Sequence, residues 1–405
     1  MRRTPEERHV RNGVCAVGSR CPIALLIAAL LWTAGATDAR SCSTFVLDDG
    51  DVRLVGHNLD ETPGFHVPGM LCINKRGVTK QGVTWARLTR PPEGDESANV
   101  AVSGESGPTL MWTSVHGSVT INTDGLEFPD CGMNEAGLVV CEMSLPTTRF
   151  PTDSGKPTLF MSQWIQYLLD TCSSVDEVVN SASSVNLDGW NWHFLVADGD
   201  RGCAVIEFIE GRAVTYEGDG LPVSLLCNRP YDAELSLLGE YRRSPFHRFL
   251  GRVFSRIPRF VRGAYLLDEY NPAEGVSPHE YSWEILEDIR IAGWNKWSVM
   301  FDVSRMALQF NTQGERGIRR LSFSGIDFSC GHAHMLLDVH STPPGDVSGA
   351  FVEYSRELNH GFLKERAELL FAERLSQLAA SGLTAELYAR RFADYAETTR
   401  CDGRG

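Results

Sequence analysis

Cys42 heads the segment Cys42-Ser-Thr-Phe-Val-Leu-Asp-Asp-Gly-Asp-Val-Arg-Leu-Val-Gly-His-Asn-Leu-Asp60, which gathers a thiol, an imidazole (His57) and a carboxylate into one short stretch. A thiol with a pKa near 8.5 is only a few per cent thiolate at pH 7 and needs a base to become a nucleophile. Were the chain cut just before Cys42, its nitrogen would change from a non-basic amide into an α-amine with a pKa of about 7.7 to 8. In its neutral form that amine could take the thiol proton. Asp60 could orient the amine and favour its charged form once it holds the proton. The same cysteine could equally be half of a disulfide near a mature terminus, and this segment alone does not choose between the two.

The element that must position these groups is a hairpin. Apolar and β-branched residues flank Asp49-Gly50 on both sides, a turn signature between two strands. If Asp49 and Gly50 are the two central turn residues, Cys42 lies opposite His57 and Asp60 follows at the same end. Directly opposed residues hold their Cβ atoms about 4.5 to 5.5 Å apart, close enough for the side chains to meet.

What precedes Cys42 reads as a removable leader. The first 41 residues carry six basic and three acidic side chains, against a net charge of -14 for all 405 residues. Their basic stretch runs into the apolar Ile23 to Trp32, continued by small residues to Ala36. That run is shorter than the ~20 residues of a membrane span and fits a secretory signal peptide. Ala34-Gly35-Ala36 and Ala39-Arg40-Ser41 both satisfy the small-residue cleavage rule, and the second would leave Cys42 as the new terminus. An uncleaved signal anchor is the alternative. Residues 1–41 as a leader and 42–405 as one catalytic domain are the expected organisation, with export to the periplasm or the medium and a signal peptidase as processing partner.

The rest of the composition is that of an ordinary globular chain. With 42% hydrophobic and 22% charged residues it is not disordered, collagenous or coiled-coil. Its acidity leaves no basic surface of the kind that neutralises phosphates, which argues against a nucleic-acid partner and for an acidic enzyme or a small-molecule binder.

Further along, Asn74-Lys-Arg-Gly77, Gly132-Met-Asn-Glu-Ala-Gly-Leu138, Trp192-His193, Asn228-Arg-Pro230 and Arg259-Phe-Val-Arg262 follow Cys42-Ser-Thr-Phe and Gly56-His-Asn-Leu-Asp60 in a fixed order. In that order and spacing the chain, from Cys42 to about Asn359, resembles the choloylglycine hydrolase and penicillin V acylase family of linear amide C-N hydrolases, which are N-terminal-nucleophile enzymes. The resemblance implies an α+β fold, a four-layer αββα sandwich. It implies Cys42 as nucleophile, Asp60 as the carboxylate beside its α-amine, Asn228 as a side-chain oxyanion donor and Arg259 as organiser of the nucleophile region. The second oxyanion donor would be the backbone N–H at Ser144, ten residues after Asn134. No metal or organic cofactor is implied, the partner is a small N-acyl amide, and a homo-oligomer is possible. Acyl transfer to an amine acceptor, a conventional Cys-His hydrolase and a catalytically impaired binding homologue remain as alternatives.

One departure stands out, because where the family usually has a basic residue contacting the nucleophile this chain has His57. A neutral imidazole would lower the positive potential that holds a thiolate, a protonated one would restore part of it, and His57 could share the base role with the amine. For the acyl-binding wall, Phe65 and Met70 follow Asp60 closely, Trp112 is a second apolar candidate, and Asn134 sits in the Gly-Met-Asn segment. An apolar pocket beside a cysteine nucleophile suits an aryl, steroid or fatty acyl group.

Elsewhere, residues 158–180 have the apolar spacing of two helices, His193 to Val196, Cys203 to Ile209 and Ala213 to Tyr216 read as strands, and 362–399 as two C-terminal helices broken at Ser381-Gly382. Cys330-Gly-His332-Ala-His334, with His340, would place potential metal ligands on one strand face, although ordinary packing is the simpler reading. His193 reads as a satisfied strand-end histidine. Eight cysteines besides Cys42 follow the leader and could pair in an oxidising compartment, and Cys131 with Cys141 flanks a turn at Asn134 to Gly137.

Overall fold

The computed structural model describes residues 42–63, 67–90, 108–243, 257–373, 379 and 382–401. Two sheets face each other across the main core. One has seven strands in the order β14 (Leu225–Leu226), β1 (Ser43–Asp48), β2 (Arg53–Asp60), β15 (Asn295–Asp302), β16 (Ala307–Thr312), β17 (Arg319–Ser322), β19 (Gly345–Asp346). The other has nine, in the order β13 (Arg212–Glu217), β12 (Cys203–Ile209), β11 (Trp192–Ala197), β8 (Val139–Ser144), β7 (Pro129–Asn134), β6 (Ser118–Asn122), β3 (Met70–Asn74), β18 (Met335–Asp338), β20 (Val352–Glu353). Two small ribbons complete the strands: β4 (Thr79–Gln81) with β5 (Met111–Thr113), and β9 (Thr158–Phe160) with β10 (Asn186–Asp188).

Helices cover both outer faces. After the short α1 (Trp85–Thr89), α2 (Met161–Thr171) and α3 (Val175–Ala182) pack on the nine-stranded sheet. Residues of α7 (Arg356–Glu373) and α8 (Ala385–Glu397) join α2 and α3 in that outer core through Leu363, Leu370, Tyr388 and Phe392. On the seven-stranded sheet lie α5 (Arg259–Glu269) and α6 (Pro278–Ile289), with α4 (Tyr231–Arg243) packed on α5. This is the expected αββα sandwich, an arrangement in which each sheet buries one face on the other and one on helices. Every strand from β6 to β8 is accordingly buried along nearly its whole length. Among the described residues no helix is long and apolar enough to cross a membrane.

The two helices within 158–180 form where apolar residues recur at helical spacing, and Ser174 caps α3 by accepting from the Glu177 N–H, with Asp176 and Glu177 in the first turn. The C-terminal pair begins at Arg356, earlier than the apolar spacing indicates, and resumes at Ala385 behind a Thr384 cap.

The first hairpin differs from expectation in register. Thr44 and Ser43 face His57 and Asn58, so Cys42 is not opposite His57. The cause is the turn: Asp49 Oδ1 accepts from the N–H groups of Asp51 and Val52 at 3.0 and 2.7 Å, closing a four-residue loop with Gly50 at φ +97°. The slip is two residues, which preserves the face, because side chains alternate with period two. Thr44 therefore reaches between the sheets to Met143. Phe45 points the other way, into space that only a glycine at 56 leaves open, since a Cβ there would lie 2.5 Å from the Phe45 ring.

Among the described residues the cysteines form one disulfide. Cys330 pairs with Cys401 in a disulfide spanning 71 residues. This removes Cys330 as a metal ligand; His332 is exposed, His334 is buried against the Thr399 carbonyl, and the segment 330–334 is not a strand. Cys131 and Cys141 are directly opposed on β7 and β8 but remain thiols.

Candidate active site

The fully buried Cys42 leads into β1, the second strand of its sheet. Asp60 ends β2, the neighbouring strand, and Arg259 opens α5 directly after Pro258, whose fixed φ suits a helix entrance. Arg259 ties the region together. One of its terminal nitrogens donates to Asp60 Oδ2 at 3.1 Å; the other donates to Asn228 Oδ1 at 2.7 Å and, at 3.4 Å, to the carbonyl of Cys42. Asn228 in turn donates from Nδ2 to the carbonyl of Ser144, the last residue of β8, at 2.8 Å. Cys42, Asp60, Asn228, Arg259 and Ser144 thus meet in one hydrogen-bonded chain.

Two oxygens of Asp60 are treated differently. Oδ2 accepts from Arg259 and from the Ile291 N–H at 3.0 Å, whereas Oδ1 is buried and makes no close hydrogen bond among the described residues, although the Asn295 amide also acts on this carboxylate as a side-chain donor. Burial pushes the Asp60 pKa up to about 6, and the attraction of Arg259 offsets only part of that cost. A cation brought to Oδ1 would find an acceptor already in place.

His57 is fully buried on β2. Its Nδ1 lies 2.7 Å from Thr44 Oγ1, its ring is 5.4 Å from that of Trp297, and Nε2 has no hydrogen-bond partner among the described residues. Burial lowers its pKa to about 3. His57 is therefore neutral: it does not restore the positive potential of the basic residue usual at this place, and it is too weak a base to share the amine's role near pH 7.

The acyl-wall candidates do not gather here. Phe65 lies outside the described residues. Met70 lies on the opposite face of β3 from Leu71 and Ile73, which join the core containing Cys42, and packs instead with Leu126 and Leu336. Trp112 sits in the outer core under α2, its indole donating to Asp170 at 2.7 Å. Asn134 is used up by the turn it organises: Nδ2 donates to the carbonyls of Leu169 and Cys172, and Oδ1 accepts from Ala136 and Leu138. These three positions are corrected from pocket wall to packing. His193 holds both ring nitrogens in bonds, to Glu207 Oε1 at 3.0 Å and the Cys227 carbonyl at 2.7 Å, as a strand-end strut would.

One residue beside Cys42 was not anticipated. Glu142 is fully buried on β8, and its Oε1 accepts from Cys42 Sγ at 3.6 Å. The β7–β8 ladder ends at the Cys131–Cys141 pair, so Glu142 is the first residue of β8 beyond it. The available signal was a lone acidic residue within the apolar run Leu-Val-Val-Cys-Glu-Met.

Residues 94–279 match the family model described as linear amide C-N hydrolases, choloylglycine hydrolase family. Penicillin V acylase of Pectobacterium atrosepticum is 26% identical over 215 residues, 48% of this chain and 57% of that protein, so the chain aligns with just over half the length of this curated relative. Penicillin V acylase from Agrobacterium tumefaciens superposes with a TM-score of 0.62 at 20% identity, covering 78% of this chain and 98% of that one. A mutant conjugated bile acid hydrolase from Clostridium perfringens does so with a TM-score of 0.56 at 13% identity, over 75% and 98%. Both share the sandwich and its order of layers. Over residues 94–279 the chain is thus similar to the linear amide C-N hydrolases of the choloylglycine hydrolase family, and it shares the fold of the two solved structures.

Proposed function

We propose that this protein is an exported hydrolase of linear amide bonds in small N-acyl compounds, of the penicillin V, conjugated bile acid or N-acyl amino type, and that it acts through Cys42 as an N-terminal nucleophile. The observation that carries the reading is the convergence of Cys42, Asp60, Asn228 and Ser144 around Arg259, with Asp60 Oδ1 left as a buried acceptor. A buried acceptor without a close donor costs free energy, and an α-ammonium at Cys42 would supply that donor.

In this mechanism a signal peptidase exposes the Cys42 amine. The neutral amine takes the thiol proton and sulfur attacks the amide carbonyl. Asn228 Nδ2, which carries two hydrogens, and the Ser144 N–H hold the oxyanion. The ammonium protonates the leaving amine, an acyl thioester remains, and water activated by the same amine releases the acid.

The test joins intact mass to turnover. The exported protein should begin at Cys42 and release acid and amine from a phenoxyacetyl amide in equal amounts. A chain that keeps one residue before Cys42 should be inactive. Full activity in that extended chain, or a mature terminus elsewhere, overturns the mechanism.

A further inference from the structure

Among the described residues, one group of three metal-ligating side chains comes together: Cys42 Sγ, a ring nitrogen of His57 and a carboxylate oxygen of Glu142 all lie within 4.8 Å of one another. All three residues are fully buried. Zinc bonds of about 2.3 Å to thiolate and 2.0 to 2.2 Å to oxygen, at a tetrahedral angle, set the sulfur–oxygen edge at about 3.5 to 3.7 Å. The Sγ to Oε1 distance is 3.6 Å. The imidazole adds an independent observation. Its Nδ1 is engaged by Thr44 Oγ1, the kind of outer contact that fixes the tautomer of a ligating histidine, while Nε2 is buried without a partner among the described residues.

Charge points the same way. A divalent ion that takes the place of the thiol proton between Cys42 Sγ and Glu142 Oε1 turns this hydrogen bond into two metal bonds. A divalent cation bound by one thiolate, one carboxylate and one imidazole gives a neutral cluster, the form in which burial costs least. Thiolate and imidazole donors favour zinc and its neighbours over magnesium or calcium.

We propose that Cys42, His57 and Glu142 form a zinc-type divalent metal site whose occupancy holds the nucleophile as a metal thiolate and blocks acylation. Binding releases the thiol proton to solvent and changes no oxidation state. The ion is an inhibitor here, not a participant in hydrolysis. Where the chain begins at Cys42, its α-nitrogen closes a five-membered chelate with its own sulfur as fourth ligand. That fourth ligand and the block on acylation rest on the proposed hydrolase mechanism, whereas the three side-chain ligands do not.

The test uses cobalt as a spectroscopic stand-in for zinc, added to the metal-free protein. The expected result is one equivalent bound, with a thiolate-to-cobalt charge-transfer band in the near ultraviolet that zinc abolishes. Cys42→Ser should lose the band, and Glu142→Gln and His57→Gln, which keep much of the native shape, should weaken binding at least tenfold. Absence of the band in the unaltered protein, the same band in Cys42→Ser, or undiminished affinity in both other variants overturns the site. One equivalent of zinc should also suppress turnover of the phenoxyacetyl amide, and its removal by a chelator should restore it. Undiminished turnover of zinc-loaded protein overturns the block on acylation. Cobalt binding is read whether or not the chain hydrolyses amides, so failure of the metal site and failure of the hydrolase reading give different results.

Discussion

Two of the clusters of charge buried among the described residues are finished to different degrees. In the outer core below α8, the Lys80 ammonium lies 2.7 Å from Glu127 and 3.0 Å from Asp170, with all three side chains inaccessible to solvent. Asp170 also accepts from the Trp112 indole and the Gln166 amide. Between and beside the sheets, Arg259 similarly bridges acceptors from four segments, yet Asp60 Oδ1 and His57 Nε2 make no close hydrogen bond among the described residues. Both regions bear the cost of desolvating charge. In the first, the charges pair with one another and hold α2, β4 and β5 together, although Glu127 Oε1 also meets no donor among the described residues. In the second, more of the polar capacity is held back, beside Cys42, where the proposed mechanism would bring an amine and an oxyanion.

The sharpest way to break this distinction is to remove the centre of each cluster. Cys42→Ala should lower kcat/KM by at least about 10⁴-fold, as loss of a nucleophile does, with an unchanged far-ultraviolet circular dichroism spectrum. Lys80→Met should show the reverse pattern. It strands two buried carboxylates and should cost about 3 to 5 kcal/mol in urea unfolding, while kcat/KM of the folded fraction stays where it was. A Lys80→Met protein that is stable but inactive would show that the outer cluster serves catalysis.

A smaller effect sharpens the comparison within the site. Asn228→Ala should lower kcat about 10²- to 10³-fold, equivalent to about 2.7 to 4 kcal/mol of transition-state stabilisation. KM should move little, because the oxyanion exists only after attack. An increase in KM at constant kcat would instead make Asn228 a substrate-positioning group.

These two regions were unequally legible in the sequence. Helices α2 and α3 and strands β11 to β13 could be read locally, because apolar spacing and Gly-containing turns lie within a few residues of one another. The first hairpin was legible in kind but not in register, since the Asp49 side chain turns an apparent two-residue turn into a four-residue loop. Cys42 and Arg259 are 217 residues apart, and their meeting was legible only through resemblance to a family. The pocket wall was not legible. Leu71 and Met70 are equally apolar neighbours on a strand buried on both faces, and nothing in such a pair says which faces Cys42. The Cys330–Cys401 disulfide links segments 71 residues apart, beyond any local pattern.

The last and smallest expected effect concerns pH, at the edge of the outer cluster. His334 is fully buried, donates from Nε2 to the Thr399 carbonyl, and has its pKa lowered to about 4 by burial and by the charges of Lys80 and Lys75. As pH falls below 6.5 the unfolded chain binds a proton at this residue that the folded chain refuses, so stability is lost on acidification. The loss continues until the folded state also protonates near pH 4, and a difference of that size is worth at most about 3 kcal/mol. His334→Gln cannot take the proton in either state. Its unfolding free energy, measured by urea titration between pH 7 and pH 4, should therefore fall less steeply than that of the unaltered protein. At pH 7 the variant should be the less stable of the two, having given up a fitted imidazole, and the two curves should converge towards pH 4. Parallel curves would mean that the imidazole protonates as readily in the fold as in the unfolded chain, and that the Lys80 region leaves room for a second cation after all.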